Sequence, residues 1–209
     1  MKAVVISDTH NQHALVDLPS GDLLVHCGDA TMGGTEAEVI SFADWFSKQD
    51  FEHKIFVPGN HDFMFEKMLP LCREMMPDTH ILVEDQIEIE HLKIYGVPYV
   101  PLGRRWAYSY SRDDYQRAKK IWARVPKNLD LLITHGPPQN ILDKVPAGNV
   151  GCPYLYESVR ANYPTYHCFG HIHEGYGKMN QSGMVANFVN AALLDENYKL
   201  VNTPQVIYL

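Results

Sequence analysis

The chain has 209 residues, 45% of them apolar and 21% charged, with 18 basic and 25 acidic side chains and a formal charge of −7. That length suits one domain spanning residues 1–209 with a sizeable core, and the composition is ordinary globular usage. The negative balance argues against a broad basic surface for nucleic acid, although a local basic patch stays open, and no apolar run approaches the ~20 residues that cross a membrane.

The chain opens in a strand, Lys2 to Ile6, and a second strand is expected over Asp22 to His26. Thr35 and Glu38 have capping-box spacing. Behind them Val39, Phe42, Ala43 and Phe46 recur at helical spacing, which predicts a helix of roughly three or four turns. Lys54 to Val57 reads as a third strand, stopped at Pro58-Gly59. Phe63 to Met76 reads as helix interrupted at Pro70. Apolar stretches at Ile81 to Val83, Ile87 to Ile89 and Leu92 to Val97 then read as an antiparallel meander. Pro98 to Ser109, rich in Pro, Gly, Arg and aromatics, is expected to be a loop.

Ser111 with Asp114 is expected to cap a helix that turns Tyr115, Ala118 and Trp122 inward. Asp130 to Thr134 reads as a strand and Gly136 to Gly151 as a long loop of the kind that carries function. Pro153 suits the first turn of a helix running to Asn162. The last strands are expected at Thr165 to Phe169, Val185 to Val189 and Val206 to Leu209. None of the four cysteines forms a C-x-x-C pair. Cys27 and Cys168 close apolar runs and read as small core residues, and with no signal peptide a reduced, cytoplasmic chain is expected.

Five of the apolar runs end in groups that bind cations. The groups are Asp8-Thr9-His10, Gly28-Asp29, Gly59-Asn60-His61-Asp62, His135-Gly136 and Gly170-His171-Ile172-His173. Strand ends in one sheet can bring residues far apart in sequence into one cleft. If the backbone stays extended, Asp8 and His10 point the same way, as do His171 and His173. A carboxylate beside an imidazole suits a borderline transition metal. Asp29 has two oxygens and so can bridge two cations, and the Asn60 side-chain oxygen can bind one. His61 is then free to act as an acid or a phosphate contact, with Asp62 taking its second ring proton. Each group alone also has an ordinary reading as a turn or helix cap. Three histidines, two acids and an asparagine, all at strand ends, do not.

The joint pattern D-x-H, G-D, G-N-H-[DE], H-G, G-H-x-H resembles the calcineurin-like metallophosphoesterase superfamily, in the family's order over residues 8 to 173. Residues 151 to 177 are similar to a smaller branch that holds the metallophosphoesterase-domain proteins of animals, a cyclic-nucleotide-phosphodiesterase-like branch. The resemblance implies a four-layer α/β/β/α sandwich with two mixed sheets. It implies one metal on Asp8, His10, Asp29 and His173, a second on Asp29, Asn60, His135 and His171, and a catalytic role for His61 backed by Asp62. The chemistry implied is phosphoester hydrolysis by a hydroxide bridging two divalent transition metals, with Mn, Fe, Zn, Co and Ni all compatible with mixed N/O ligands.

Substrate choice is less constrained. Arg104 and Trp106, in the Pro98 to Tyr110 loop, are candidates for holding a phosphate and stacking a base beside Asn60 and His61. The plain alternative makes Trp106 a core plug. Small size and negative charge favour a small phosphodiester or nucleotide such as a cyclic nucleotide. A phosphomonoesterase, a small nuclease, or a weakly catalytic metal- or nucleotide-binding regulator are the alternatives.

Overall fold

The computed structural model describes residues 1–103 and 105–209. In the first sheet β1 (Lys2–Ile6), β2 (Leu23–His26), β3 (His53–Phe56) and β4 (His80–Ile81) lie parallel and in sequence order. In the second sheet β5 (Asp85–Ile89) forms an antiparallel hairpin with β6 (Leu92–Val97), closed by Glu90 and His91, both at positive φ as a type I′ turn requires. Parallel to β6 follow β7 (Leu131–Thr134), then β10 (Tyr166–Phe169), then β12 (Asn187–Asn190), and β11 (Gly177–Asn180) closes that edge antiparallel. A short ribbon, β8 (Lys144–Val145) with β9 (Gly148–Asn149), folds within the long loop after β7. The last strand, β13 (Gln205–Tyr208), returns to the first sheet antiparallel to β1.

Period-two alternation sorts the strand side chains into layers. Ala3, Val5, Val25 and Ile55 meet Ile94, Leu131, Ile133 and Val189 between the two sheets. Val4, Ile6, Leu24 and Phe56 face the other way, onto α1 (Glu36–Ser47), α2 (Phe63–Lys67) and α3 (Leu69–Met75). Tyr95, Leu132, Phe169 and Phe188 face α4 (Tyr115–Trp122) and α5 (Pro153–Asn162). The result is the α/β/β/α sandwich that the sequence implied. Central strands covered on both faces read as unbroken apolar runs, which is why they were visible.

Four details depart from the sequence reading. The break in the 63–76 helix falls at Met68; Pro70 sits in the first turn of α3, where its missing N–H costs nothing. The 81–83 stretch is no meander strand, because β4 pairs parallel with β3 in the other sheet. Tyr115 is exposed, and α4 buries Ala118, Ile121 and Trp122 instead. Strand β11, with alternating exposure and no apolar run, was not foreseen. Arg104 lies outside the described residues.

Candidate metal centre

All five motifs leave the carboxyl ends of parallel strands: Asp8 after β1, Asp29 after β2, Asn60 and His61 after β3, His135 after β7, His171 and His173 after β10. The first three come from one sheet and the last two from the other, so the site lies where both sheets end. The backbone there is not extended, contrary to the sequence expectation. Asp8, His10, Asp29 and His171 have φ of 54°, 39°, 55° and 69°, in the left-handed region that side chains rarely occupy. Neighbouring chain holds them in it. Asp8 N donates to Gly28 O at 2.9 Å, His10 N to Asp29 O at 3.0 Å, and His171 N to Asp8 Oδ2 at 2.9 Å. Such strain collects at functional sites where the surroundings over-determine it. Two glycines permit the crowding: a Cβ on Gly170 would run into the Asp8 carboxylate, and one on Gly59 into that of Asp29.

The side chains converge in overlapping groups. Asp8, His10 and His173 offer donor atoms to one point, Asp29, His135 and His171 to a second, and His10, Asp29 and His61 to a third that joins them. His173 Nε2 lies 3.6 Å from Asp8 Oδ1, His10 Nε2 3.7 Å from Asp29 Oδ2, and His135 Nε2 3.4 Å from Asp29 Oδ1. Asn60 Oδ1 is 3.0 Å from His135 Nε2, on the Asp29 side. Asp29 is the member common to both halves.

A second layer aims the rings. His10 Nδ1 lies 3.2 Å from Thr31 O, His61 Nδ1 2.6 Å from Met32 O, His135 Nδ1 2.9 Å from Cys27 O and His173 Nδ1 2.8 Å from Asp195 O. A carbonyl only accepts, so each Nδ1 carries a proton and each Nε2 is turned inward, where loss of any proton it carries leaves a lone pair for a cation. These carbonyls are site components that no sequence motif marks, since every residue has one.

Asp62 does something other than expected. Its carboxylate does not receive the His61 ring proton, which goes to Met32 O. It accepts from Asp29 N at 2.9 Å, Thr31 N at 3.0 Å, Gly59 N at 2.7 Å and Thr31 Oγ1 at 2.7 Å. Asp62 thus pins the loop after β2 to the loop after β3, placing Asp29 beside Asn60. Burial, with Asp29 nearby, pushes its carboxyl up to about 6.

Electrostatics fit a cation. Burial would raise the Asp8 and Asp29 carboxyls, yet their histidine neighbours, His173 and His135, hold both well below the usual range. Burial opposes charge on His135 and His173, and the same carboxylates override it, pushing each up to about 9. His171 falls to about 3 through burial and the adjacent His135. Asp8 Oδ1 is buried and accepts no hydrogen bond. A buried anionic oxygen that accepts no hydrogen bond, grouped with imidazole nitrogens, is the donor set a divalent transition metal satisfies.

Two aromatics border the site. Trp106 is no core plug: it is 38% exposed, and its ring centroid lies 4.6 Å from that of His61. Tyr198, which no motif marks, lies 4.9 Å from His10 and 5.4 Å from His173.

Residues 1–175 match the family model described as calcineurin-like phosphoesterase. The chain is 34% identical over 232 aligned positions to metallophosphoesterase domain-containing protein 1 of Homo sapiens, covering 99% of this chain and 70% of that protein. Among solved structures, a Thermus thermophilus protein, TT1561, superposes with a TM-score of 0.66 at 14% identity, over 98% of this chain and 97% of that one. An archaeal phosphodiesterase superposes with a TM-score of 0.51 at 16% identity over the whole of both chains. Both show a shared fold.

Proposed function

The chain belongs to the calcineurin-like phosphoesterase family, and from that premise we propose that it hydrolyses small phosphodiesters, cyclic nucleotides foremost, on a two-metal centre. One cation is assigned to Asp8, His10, Asp29 and His173, the other to Asp29, Asn60, His135 and His171. The observation that carries this reading is the pair of donor groups that meet at Asp29, with imidazole Nε2 atoms turned inward by backbone carbonyls. Cations held there neutralise phosphoryl charge and make hydroxide available at neutral pH.

The rest is done by the chain itself. His61 is in none of the eight ligand places, and its Nε2 lies 4.0 Å from Asp29 Oδ2. Met32 O accepts the Nδ1 proton at 2.6 Å, so the proton the ring would give to the reacting group is one carried on Nε2. From there it passes to the leaving oxygen, and solvent restores it. Among the described residues, the ligand-bearing groups that ring the centre are histidine, aspartate and asparagine. A diester brings one negative charge where a monoester dianion brings two, which favours the diester.

Protein reconstituted with Mn(II) should turn over bis-p-nitrophenyl phosphate faster than p-nitrophenyl phosphate and should act on members of a cyclic-nucleotide panel. Metal binding without turnover on any of these would make the chain a binding protein instead. Trp106, exposed above His61, is assigned to base stacking. Trp106→Ala should weaken nucleotide substrates by roughly 1–3 kcal/mol while leaving a small aryl diester nearly intact. Equal losses on both would remove Trp106 from substrate recognition.

A further inference from the structure

Beside His61 lies a cavity of about 360 Å³ lined chiefly by Gly33, Gly34, Phe63, Met64, Met68 and Leu71. That volume is in the range of small-molecule sites, ~300–1,000 Å³. Its walls are the continuations of the two segments that hold His61. Met32, whose carbonyl accepts from His61 Nδ1, runs directly into Gly33-Gly34; His61 and Asp62 run into Phe63-Met64. The two segments touch closely. A Cβ on Gly34, which has a φ of +61°, would collide with Phe63 N and stand 2.9 Å from His61 O. The Phe63 ring stacks on Trp106 at 6.1 Å and 29°, and Trp106 in turn lies against His61. One aromatic stack therefore both borders the cavity and covers His61.

The chemistry of the lining is apolar. Met68 is 47% and Leu71 36% exposed, and Met32 just outside is 40% exposed, so large apolar side chains face water around one opening. Thioether side chains adapt to irregular apolar shapes. Of the two charged residues in the lining, Lys67 has its ammonium 5.6 Å from the Phe63 ring centroid, and Glu36 carries the opposite charge. Nothing in this lining recommends a second phosphate or a polyanion.

We infer that this cavity is a subsite for an uncharged, apolar ester substituent of the substrate, so that phosphodiesters carrying an alkyl or aryl group are preferred over those with two small polar ones. The inference rests on the phosphodiesterase reading above for its substrate, but its test does not require turnover. Methyl, butyl and octyl esters of methylphosphonic acid are singly charged diester analogues that differ only in apolar length. Calorimetric titration into the Mn(II)-loaded full chain should give affinity rising with length, by up to about fourfold per added methylene. Leu71→Glu and, separately, Met68→Glu should abolish the gain for the octyl ester and leave the methyl ester unchanged. Two exposed positions are used so that a folding failure in one leaves the other. Equal affinity for the methyl and octyl esters, or a length dependence that survives both variants, would overturn the subsite. Turnover of p-nitrophenyl methyl phosphate, measured alongside, reports separately on the phosphodiesterase reading.

Discussion

At the scale of single residues, a half-buried and a buried histidine illustrate opposite uses of one side chain. His61 has its Nδ1 on Met32 O and its Nε2 free toward the reaction centre, yet it is not needed to complete either proposed metal site. His61→Ala should therefore keep its metal content by elemental analysis while losing about 10²–10⁴ in rate. The loss should shrink along a series of better leaving groups if Nε2 is a proton donor; a uniform loss would make it a phosphate contact. His167 is the structural counterpart. Its Nε2 lies 2.8 Å from Thr134 Oγ1, whose own proton goes to Gly136 O, so Nε2 must donate and Nδ1 is left buried without a partner. Burial drops its pKa from 6.5 to about 3. The unfolded chain then binds this proton below about pH 6.5 while the fold refuses it until about pH 3, so stability is lost as pH falls through that window. His167→Leu should flatten the fall of the denaturation midpoint between pH 6 and pH 4, measured in chelator, by roughly 1–3 kcal/mol. An unchanged slope would assign the acid sensitivity elsewhere.

At the scale of elements, the start of α1 does more than begin a helix. Thr35 N donates to Glu38 Oε2 at 2.8 Å and Glu38 N to Thr35 Oγ1 at 3.4 Å, which is the capping box its spacing suggested. The other Glu38 oxygen also accepts from Asn11 Nδ2 at 2.5 Å, and Asn11 follows the proposed ligand His10. Thr35→Ala should cost on the order of 1 kcal/mol in thermal unfolding and leave metal affinity alone. Glu38→Ala should cost at least as much and also weaken metal binding, because the loop carrying His10 loses an anchor; equal metal affinity in both variants would sever that link. The capping box, the apolar parallel strands and the helix at Pro153–Asn162 were legible because each is specified by residues close together in sequence. The motifs were legible because buried strands end abruptly at Asp, Asn and His. What was not legible depends on distant chain. The positive φ at Asp8, His10, Asp29 and His171 is imposed by partners such as Gly28 O and the Asp8 carboxylate. The direction of Asp62 is set by amides 29 to 31, some thirty residues away. Trp106 looked like core by composition and is turned outward by Ala107 N donating to Asn60 O at 3.1 Å and by Ser109 Oγ donating to Trp106 O at 2.7 Å.

At the scale of the whole molecule, the proposed metals would span the two halves of the sandwich. Asp8, His10, Asp29 and Asn60 hang from the first sheet and His135, His171 and His173 from the second, so each four-residue set draws on both. Between the sheets an apolar core packs, and near the site the parallel bridge of Ser7 with Ala192 joins them through backbone. Without cations this end holds two buried carboxylates that must find their compensation in protonated histidines. With cations, binding energy available only to the folded state adds to stability as concentration rises above Kd, about 2.7 kcal/mol at a hundredfold excess. Removing metal with chelator should therefore lower Tm by several degrees, and Mn(II) should restore it in proportion to occupancy. Asp29→Asn probes the shared member. It should reduce metal content toward zero, because one carboxylate serves both sites, and it should make Tm insensitive to added Mn(II). Asp8→Asn, which touches one site, should leave about half the metal. Full loading of Asp29→Asn would show that the two cations are held independently, and the bridging arrangement would have to be abandoned.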